Sequence, residues 1–367
     1  VRLLICPDSF TGTLSAAQAA AAIAEGWARA APGDAAVLRP LSDGGPGFLD
    51  AIQAGESGTR RHLTVRGPLG APVAAAYLVT PDGTAWVESA EAAGLHLVPA
   101  ERRDPTRTTS WGVGELIGAA AREGAGRIVV GVGGTGTSDG GAGLLGGLGA
   151  RSVPDGLLGG GGGALLALAE VDLAPAQAVV GGCALEVATD VDVPLLGPRG
   201  SARGFAPQKG ATPEQVESLE ESLAHWAGLL GRTAGGRSPA AALGAGAGGG
   251  IGAALLRIGA RRVPGIETVL TAAGIAELLG DVDLVITGEG AFDWQSLHGK
   301  AVSGVAALAL RRAIPTVVLA GRVDLSRREW ITAGVAGAYP AAAEPGEDPA
   351  DGLARAAERA ARTWSRT

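Results

Sequence analysis

What most constrains this chain is a strand-helix alternation that runs at both ends and stops in between. Residues 2 to 6, RLLIC, read as a strand, Ser15 as the cap of an alanine-rich helix extending to about residue 31, and AVLRPL as a second strand. That order builds a parallel sheet. After a glycine-rich turn and a short helix near 46 to 54, the runs RHLTV, APVAAAYLV and GTAWVES, separated by GPLG and PDG turns, predict an antiparallel meander. TTSWGVGELIGAAAREG then predicts a helix, RIVVGV a buried strand, ALEVATDV a strand ending in acidic residues, and the five glycines at 159 to 163 a mobile loop. From about residue 263 the alternation resumes, with a helix at 266 to 279, strand DLVIT, a helix at 301 to 312, strand PTVVLA and a terminal helix near 349 to 364.

The expected fold is therefore a discontinuous parallel α/β domain, Rossmann-like or flavodoxin-like, built from residues 1–60 and 263–367 and interrupted by an inserted mixed α/β domain at 61–262. The active site is expected in the cleft between them. A length of 367 residues suits two domains, and 62 glycines, without a collagen period, imply many tight loops. A net charge of -7 gives no electrostatic reason for a nucleic acid or an anionic membrane as partner, so a small molecule is expected, with homo-oligomerisation left open. Cys6 and Cys183 have no metal-site or disulfide spacing, no signal-peptide pattern is present, and no run of about 18 apolar residues occurs; a soluble cytoplasmic protein is expected.

Several segments have chemistry to offer. IVVGVGGTGTSDGGAG follows a strand, and Gly133, Gly134, Thr135, Thr137, Ser138 and Asp139 suit contact with a phosphate at a helix start near 141. A Rossmann dinucleotide site is disfavoured, because no acidic strand end follows about 20 residues later. In PDSFTGTLS and SDGGPG, Asp8, Ser9, Asp43, Gly44 and Gly45 lie after the first two strands, where open α/β sheets place ligands, and suit a small polyhydroxylated acid. Asp190 and Asp192 end another strand and suit Mg²⁺ or a hydroxyl proton. After DLVIT, Glu289 and Asp293 lie four apart in a glycine-rich turn, followed by His298 and Lys300; two carboxylates and a lysine fit a magnesium and phosphate site. His298 reads as structural.

Lysine usage sharpens this. All but two of the 30 basic residues are arginine, the exceptions being Lys209 in APQKGA and Lys300. A compact ammonium differs from a planar guanidinium at a crowded phosphoryl group, which gives both lysines a candidate role there.

The ordered segments PDSFTGTLSAAQAAAAI, DGGPG, GVGELI, GTGTSDGGAG, DVDVPLLG, APQKGA, GAGAGGGIGAALL and DLVITGEGAFDWQSLHGK resemble the bacterial glycerate kinase family, in its split-domain branch. The resemblance implies MgATP-dependent phosphorylation of glycerate, usually D-glycerate, commonly giving 2-phosphoglycerate. In a kinase of this kind, Asp190 or Asp293 would orient or deprotonate the hydroxyl, Glu289 with an aspartate would hold Mg²⁺, and Lys209 and Lys300 would offset phosphoryl charge. Three positions depart from the family pattern: Thr11 for lysine in SFKG, Pro46 for glutamate in DGGEG and Val193 for asparagine in DVDNP. They leave open a paralogue that binds without turnover, or a kinase for a related hydroxy acid.

Overall fold

The first helix starts where its cap predicts. Ser15 Oγ accepts the Gln18 amide at 3.2 Å and Gln18 Oε1 accepts the Ser15 amide at 2.9 Å, a capping box that opens the helix Ala16–Ala30. A computed structural model of the chain describes every residue except Thr11, Ala234, His298, Gly299, Pro345, Arg366 and Thr367. The chain divides into two compact units, one of Val1–Asp43, Asp50–Ser57 and Ile266–Thr367, the other of Gly44–Leu49 and Gly58–Gly265.

The first unit holds a five-stranded sheet in the order Gly337–Pro340, Thr316–Val323, Leu284–Phe292, Arg2–Ile5, Ala35–Leu38, with every neighbouring pair parallel. Numbered along the chain within this unit, that order is 5-4-3-1-2. The winding reverses between Arg2–Ile5 and Leu284–Phe292, the switch point at which such sheets leave a crevice beyond the strands' carboxyl ends. Leu3, Ile5, Ile23, Trp27, Leu284, Ile286, Val317 and Leu319 form the core between the sheet and the helices Ala16–Ala30 and Pro349–Trp364.

One element differs from expectation. The glycines of ITGEGAF predict a turn, yet the strand continues to Phe292, paired as far as Phe292 with Val323. A Cβ at Gly288 would lie 2.1 Å from the Leu319 carbonyl oxygen, so glycine here permits close strand approach. Glu289 is consequently a strand residue, held more firmly than a turn would hold it.

The second unit holds a six-stranded sheet in the order Arg261–Val263, Ala184–Ala188, Arg127–Gly131, Thr84–Glu88, Pro72–Val79, Thr59–Arg66. Its last three strands form the predicted antiparallel meander and the other pairs are parallel. The 18-residue helix Pro213–Leu230, opened by a Thr212–Gln215 capping box, is absent from the sequence reading although TPEQ signals it. The five-glycine run is likewise packed: it enters the 3₁₀ turns Leu157–Gly159 and Gly162–Ala167, and a Cβ at Gly162 would meet the Ser138 carbonyl oxygen at 2.4 Å. Glycine there serves close packing, which composition alone cannot separate from looseness.

Candidate active site

At the switch point of the first unit, the chain leaves Arg2–Ile5 beside Leu284–Phe292, and the Asp8 amide donates to the Gly288 carbonyl at 2.8 Å. The Ser9 amide donates to Asp8 Oδ1 at 2.6 Å, turning the aspartate inward. Burial raises the Asp8 carboxyl's proton affinity well above the usual carboxylate range; the charges of Asp43 and Glu289 add to this, while the Ser9 amide and Lys300 oppose it. Glu289 is 6% exposed, and its carboxyl is also raised, by burial first. Its Oε2 faces the Lys300 ammonium at 3.6 Å; its Oε1 is buried with no hydrogen-bond partner among the described residues.

Asp293 is folded into the 3₁₀ turn Trp294–Leu297, where its Oδ1 accepts the Gln295 amide at 2.8 Å and the Ser296 hydroxyl lies 3.1 Å from its own amide. Lys300 stands immediately before the helix Ala301–Leu310. Asp43 and Glu289 thus act electrostatically on Asp8 and Asp293 acts on Glu289, with the Lys300 ammonium opposing the shifts of both Asp8 and Glu289. This excess of negative charge suits a cation. Among the described residues no three His, Cys, Asp or Glu side chains converge as a protein-only metal cage. Mg²⁺ needs no such cage, since one or two carboxylates together with substrate phosphates suffice, and the unpartnered Glu289 Oε1 is a fitting ligand atom.

In the second unit, the structure brings together two glycine turns that the sequence presents separately. The Gly133 amide donates to the Gly44 carbonyl at 2.9 Å, and a Cβ at Gly133 would lie 2.6 Å from Gly45 Cα. Pro46 packs over Gly134, where a Cβ would lie 2.4 Å from its ring. Glu88, at the end of strand Thr84–Glu88 and absent from the sequence reading, accepts the Gly47 and Leu49 amides at 3.2 Å each and steadies this turn. An acidic residue at a parallel strand's carboxyl end was the available signal.

The six-residue phosphate expectation divides here. Gly134 is exposed and Gly133 half-buried, so the tip of the loop is open. Thr137, Ser138 and Asp139 are fully buried. Asp139 accepts hydrogen bonds from the Ser110 amide and hydroxyl and from the Gly141 and Gly143 amides at 2.8–3.2 Å, so the start of the helix Ala142–Gly147 already carries the protein's own carboxylate. Of the expected phosphate contacts, Asp139 is engaged with the protein's own amides at that helix start. Thr135 is 5% exposed and bridges to Gly94.

Lys209 is also interior, 4% exposed, with its Nζ donating to the Thr137 carbonyl at 2.6 Å. Burial lowers its pKa to about 8, against the opposing charge of Asp139. Asp190 Oδ1 accepts the Gly265 amide at 3.0 Å, and the exposed Asp192 pairs with Arg262 at 2.6 Å. These two aspartates therefore have backbone and side-chain partners where the sequence suggests a metal site. His298 and Thr11 lie outside the described residues.

The winding of the first unit and the charges at its switch point define a doubly wound α/β protein with a cation-suited ligand crevice. A profile of the glycerate kinase family matches residues 3–366, and the chain belongs to that family. It is 43% identical over 325 residues to a glycerate 2-kinase of Escherichia coli strain K12, covering 88% of this chain and 85% of that one. It is 40% identical over 368 residues to a glycerate kinase of Bacillus subtilis strain 168, covering 99% and 96%. The crystal structure of a protein described as a glycerate kinase 2, from Salmonella typhimurium LT2, superposes with a TM-score of 0.79 at 37% identity, covering 99% of this chain and 98% of that one. Among the described residues no helix is long and apolar enough to cross a membrane.

Proposed function

We propose that this protein transfers the γ-phosphoryl group of MgATP to a hydroxyl of D-glycerate, giving 2-phosphoglycerate. The observation that carries this reading is the switch-point cluster of Asp8, Asp43, Glu289, Asp293 and Lys300, which joins an excess of carboxylates to one half-buried ammonium. Family membership and the relatives named above support the substrate and product. Glu289 and Asp293 would hold Mg²⁺, which when bound neutralises phosphate charge. Lys300 offsets charge on the transferring group as a point charge.

Asp8 is the carboxylate of this cluster best suited to receive the hydroxyl proton, because burial and like charges raise its proton affinity. In this assignment the hydroxyl oxygen forms its bond to phosphorus as the bond to the ADP oxygen breaks, and the released proton passes to the Asp8 carboxylate. All three of Asp8, Asp190 and Asp293 accept a backbone amide; Asp8 is preferred to the other two because the like charges of Asp43 and Glu289 bear on it.

A panel of D-glycerate, L-glycerate and related hydroxy acids with MgATP, read by phosphorus NMR, tests the reading and identifies the hydroxyl modified. No phosphorylated product from any member would sink it. Pro46, packed over Gly134, favours a second reading in which ligand binds without turnover; calorimetric nucleotide binding with no product would establish that one instead.

A further inference from the structure

We propose that Lys209 is a positioning residue which, together with the glycine run Gly248–Gly250, fixes the Thr137 carbonyl and so sets the path of the glycine loop, without itself touching the transferred phosphoryl group. This deepens the phosphotransferase reading, and only its nucleotide arms rest on that reading.

Two independent features converge on one atom. From one side, Lys209 Nζ donates to Thr137 O at 2.6 Å, from the 3₁₀ turn Pro207–Lys209. From another, the run Gly248–Gly250 has positive φ throughout, at 62°, 72° and 97°. A Cβ at Gly249 would lie 1.8 Å from the same Thr137 oxygen, and one at Gly250 would lie 2.5 Å from Gly140 Cα. The Gly140 amide completes the seat by donating to the Gly249 carbonyl at 3.0 Å. Backbone in this conformation, at this separation, admits only glycine.

The choice of lysine over arginine follows from the same geometry. A buried ammonium has three donors and a single narrow head, here faced by Asp139 and the Thr137 carbonyl. A guanidinium would bring a broader head and five donors into the same interior. Lysine is thus retained at residue 209 by the demands of burial, whereas at Lys300 it is retained beside carboxylates at an accessible crevice.

The chain's two lysines make the test direct. Selective ¹⁵N-lysine labelling gives one side-chain signal each for Lys209 and Lys300, assigned with Lys300→Arg. In the wild type, a non-hydrolysable ATP analogue with Mg²⁺ is expected to move the Lys209 titration midpoint, near 8, by less than about half a unit; contact with a phosphate would raise it by roughly a unit or more, and that result overturns the proposal. Gly249→Ala is expected to shift the Lys209 signal with no ligand present, and an unmoved signal also overturns it.

Gly249→Ala and Lys209→Met are each expected to weaken binding of the analogue on the order of tenfold, with the double variant no worse than the weaker single, because both act on one carbonyl. Full additivity counts against a shared seat. Since a neutral amine still donates to a carbonyl, kcat/KM for the wild type should show no fall with an apparent pKa near that of Lys209, and such a fall would mark a needed charge at the phosphate. If the analogue does not bind at all, the phosphotransferase reading fails, while the ligand-free shift caused by Gly249→Ala still decides the seat.

Discussion

The two lysines sit in regions built on opposite principles. Around Lys300, carboxylates outnumber the ammonium, Glu289 keeps an unpartnered oxygen, and both Asp8 and Glu289 have raised proton affinities. Around Lys209 the charges are matched: Asp139 is saturated by amides and a hydroxyl, and the ammonium meets a carbonyl. The first region carries an excess of negative charge and is suited to a ligand; the second has its charges matched, although the buried Thr137 and Ser138 hydroxyls lack a partner among the described residues, and is suited to holding a backbone in place. A pair of residues singled out by the same compositional rarity therefore need not share a role.

The largest expected effect would break the first half of that comparison. Glu289→Gln keeps the volume but removes the charge beside Lys300. We expect kcat to fall on the order of a hundredfold or more and the Mg²⁺ requirement to rise, as befits loss of a metal-holding carboxylate. Steady-state kinetics across a magnesium titration measures both, and an unchanged metal requirement would take Glu289 out of the metal site.

Next is the charge-matched region. Asp139→Ala removes the acceptor for the Ser110, Gly141 and Gly143 donors and leaves the Lys209 ammonium without its opposing charge. A loss of about 3–5 kcal/mol in urea unfolding is expected, as when one partner is removed from a buried charged network. A loss below about 1 kcal/mol would mean the loop is held by other means.

Asp8 sets function against stability. Its folded pKa lies above the ordinary aspartate value, so its contribution to stability is fullest below that value and is lost as pH rises through the folded pKa. Once ionised, its charge is a burden on the fold. Asp8→Asn keeps an oxygen for the Ser9 amide and should raise the melting temperature at pH 7 by about 2–4 °C, with no gain near pH 3, while lowering turnover. Calorimetry at the two pH values distinguishes this from a general packing effect, which would appear at both.

What the sequence made legible was whatever has a local cause. The Ser15 cap, the meander between GPLG and PDG turns, and the return of parallel strands after residue 263 each follow from a short signal and stand in the structure. The acidic residues after DLVIT were visible as candidates for the same reason. What it hid depends on distant neighbours. Nothing local says that GEG continues a strand, because the reason is the approach of Leu319 across the sheet. The burial of Lys209 beneath Thr137, 72 residues away in the chain, is equally invisible to spacing. Glycine was the most ambiguous letter: the same residue marks an exposed tip at Gly134 and close packing at Gly162.

The smallest expected effect tests the edge of the comparison, at the aspartates of ATDVDVP. Asp190 and Asp192 look alike in sequence, yet Asp190 accepts the Gly265 amide, whereas Asp192 reaches out to Arg262 with its side chain 69% exposed. An ion pair so open to water is screened and has little net worth. Asp192→Ala should therefore change unfolding free energy by no more than about 0.5 kcal/mol, and less at high salt, with turnover altered less than about twofold. Glu186 provides the contrast within the same sheet, since its nearly buried carboxylate is gripped by both Arg127 and Arg261. If Asp192→Ala instead cost turnover a hundredfold, the acidic strand end of the second unit would need a ligand role that its pairing with Arg262 conceals, and the division between a charge-excess and a charge-matched region would have to be redrawn.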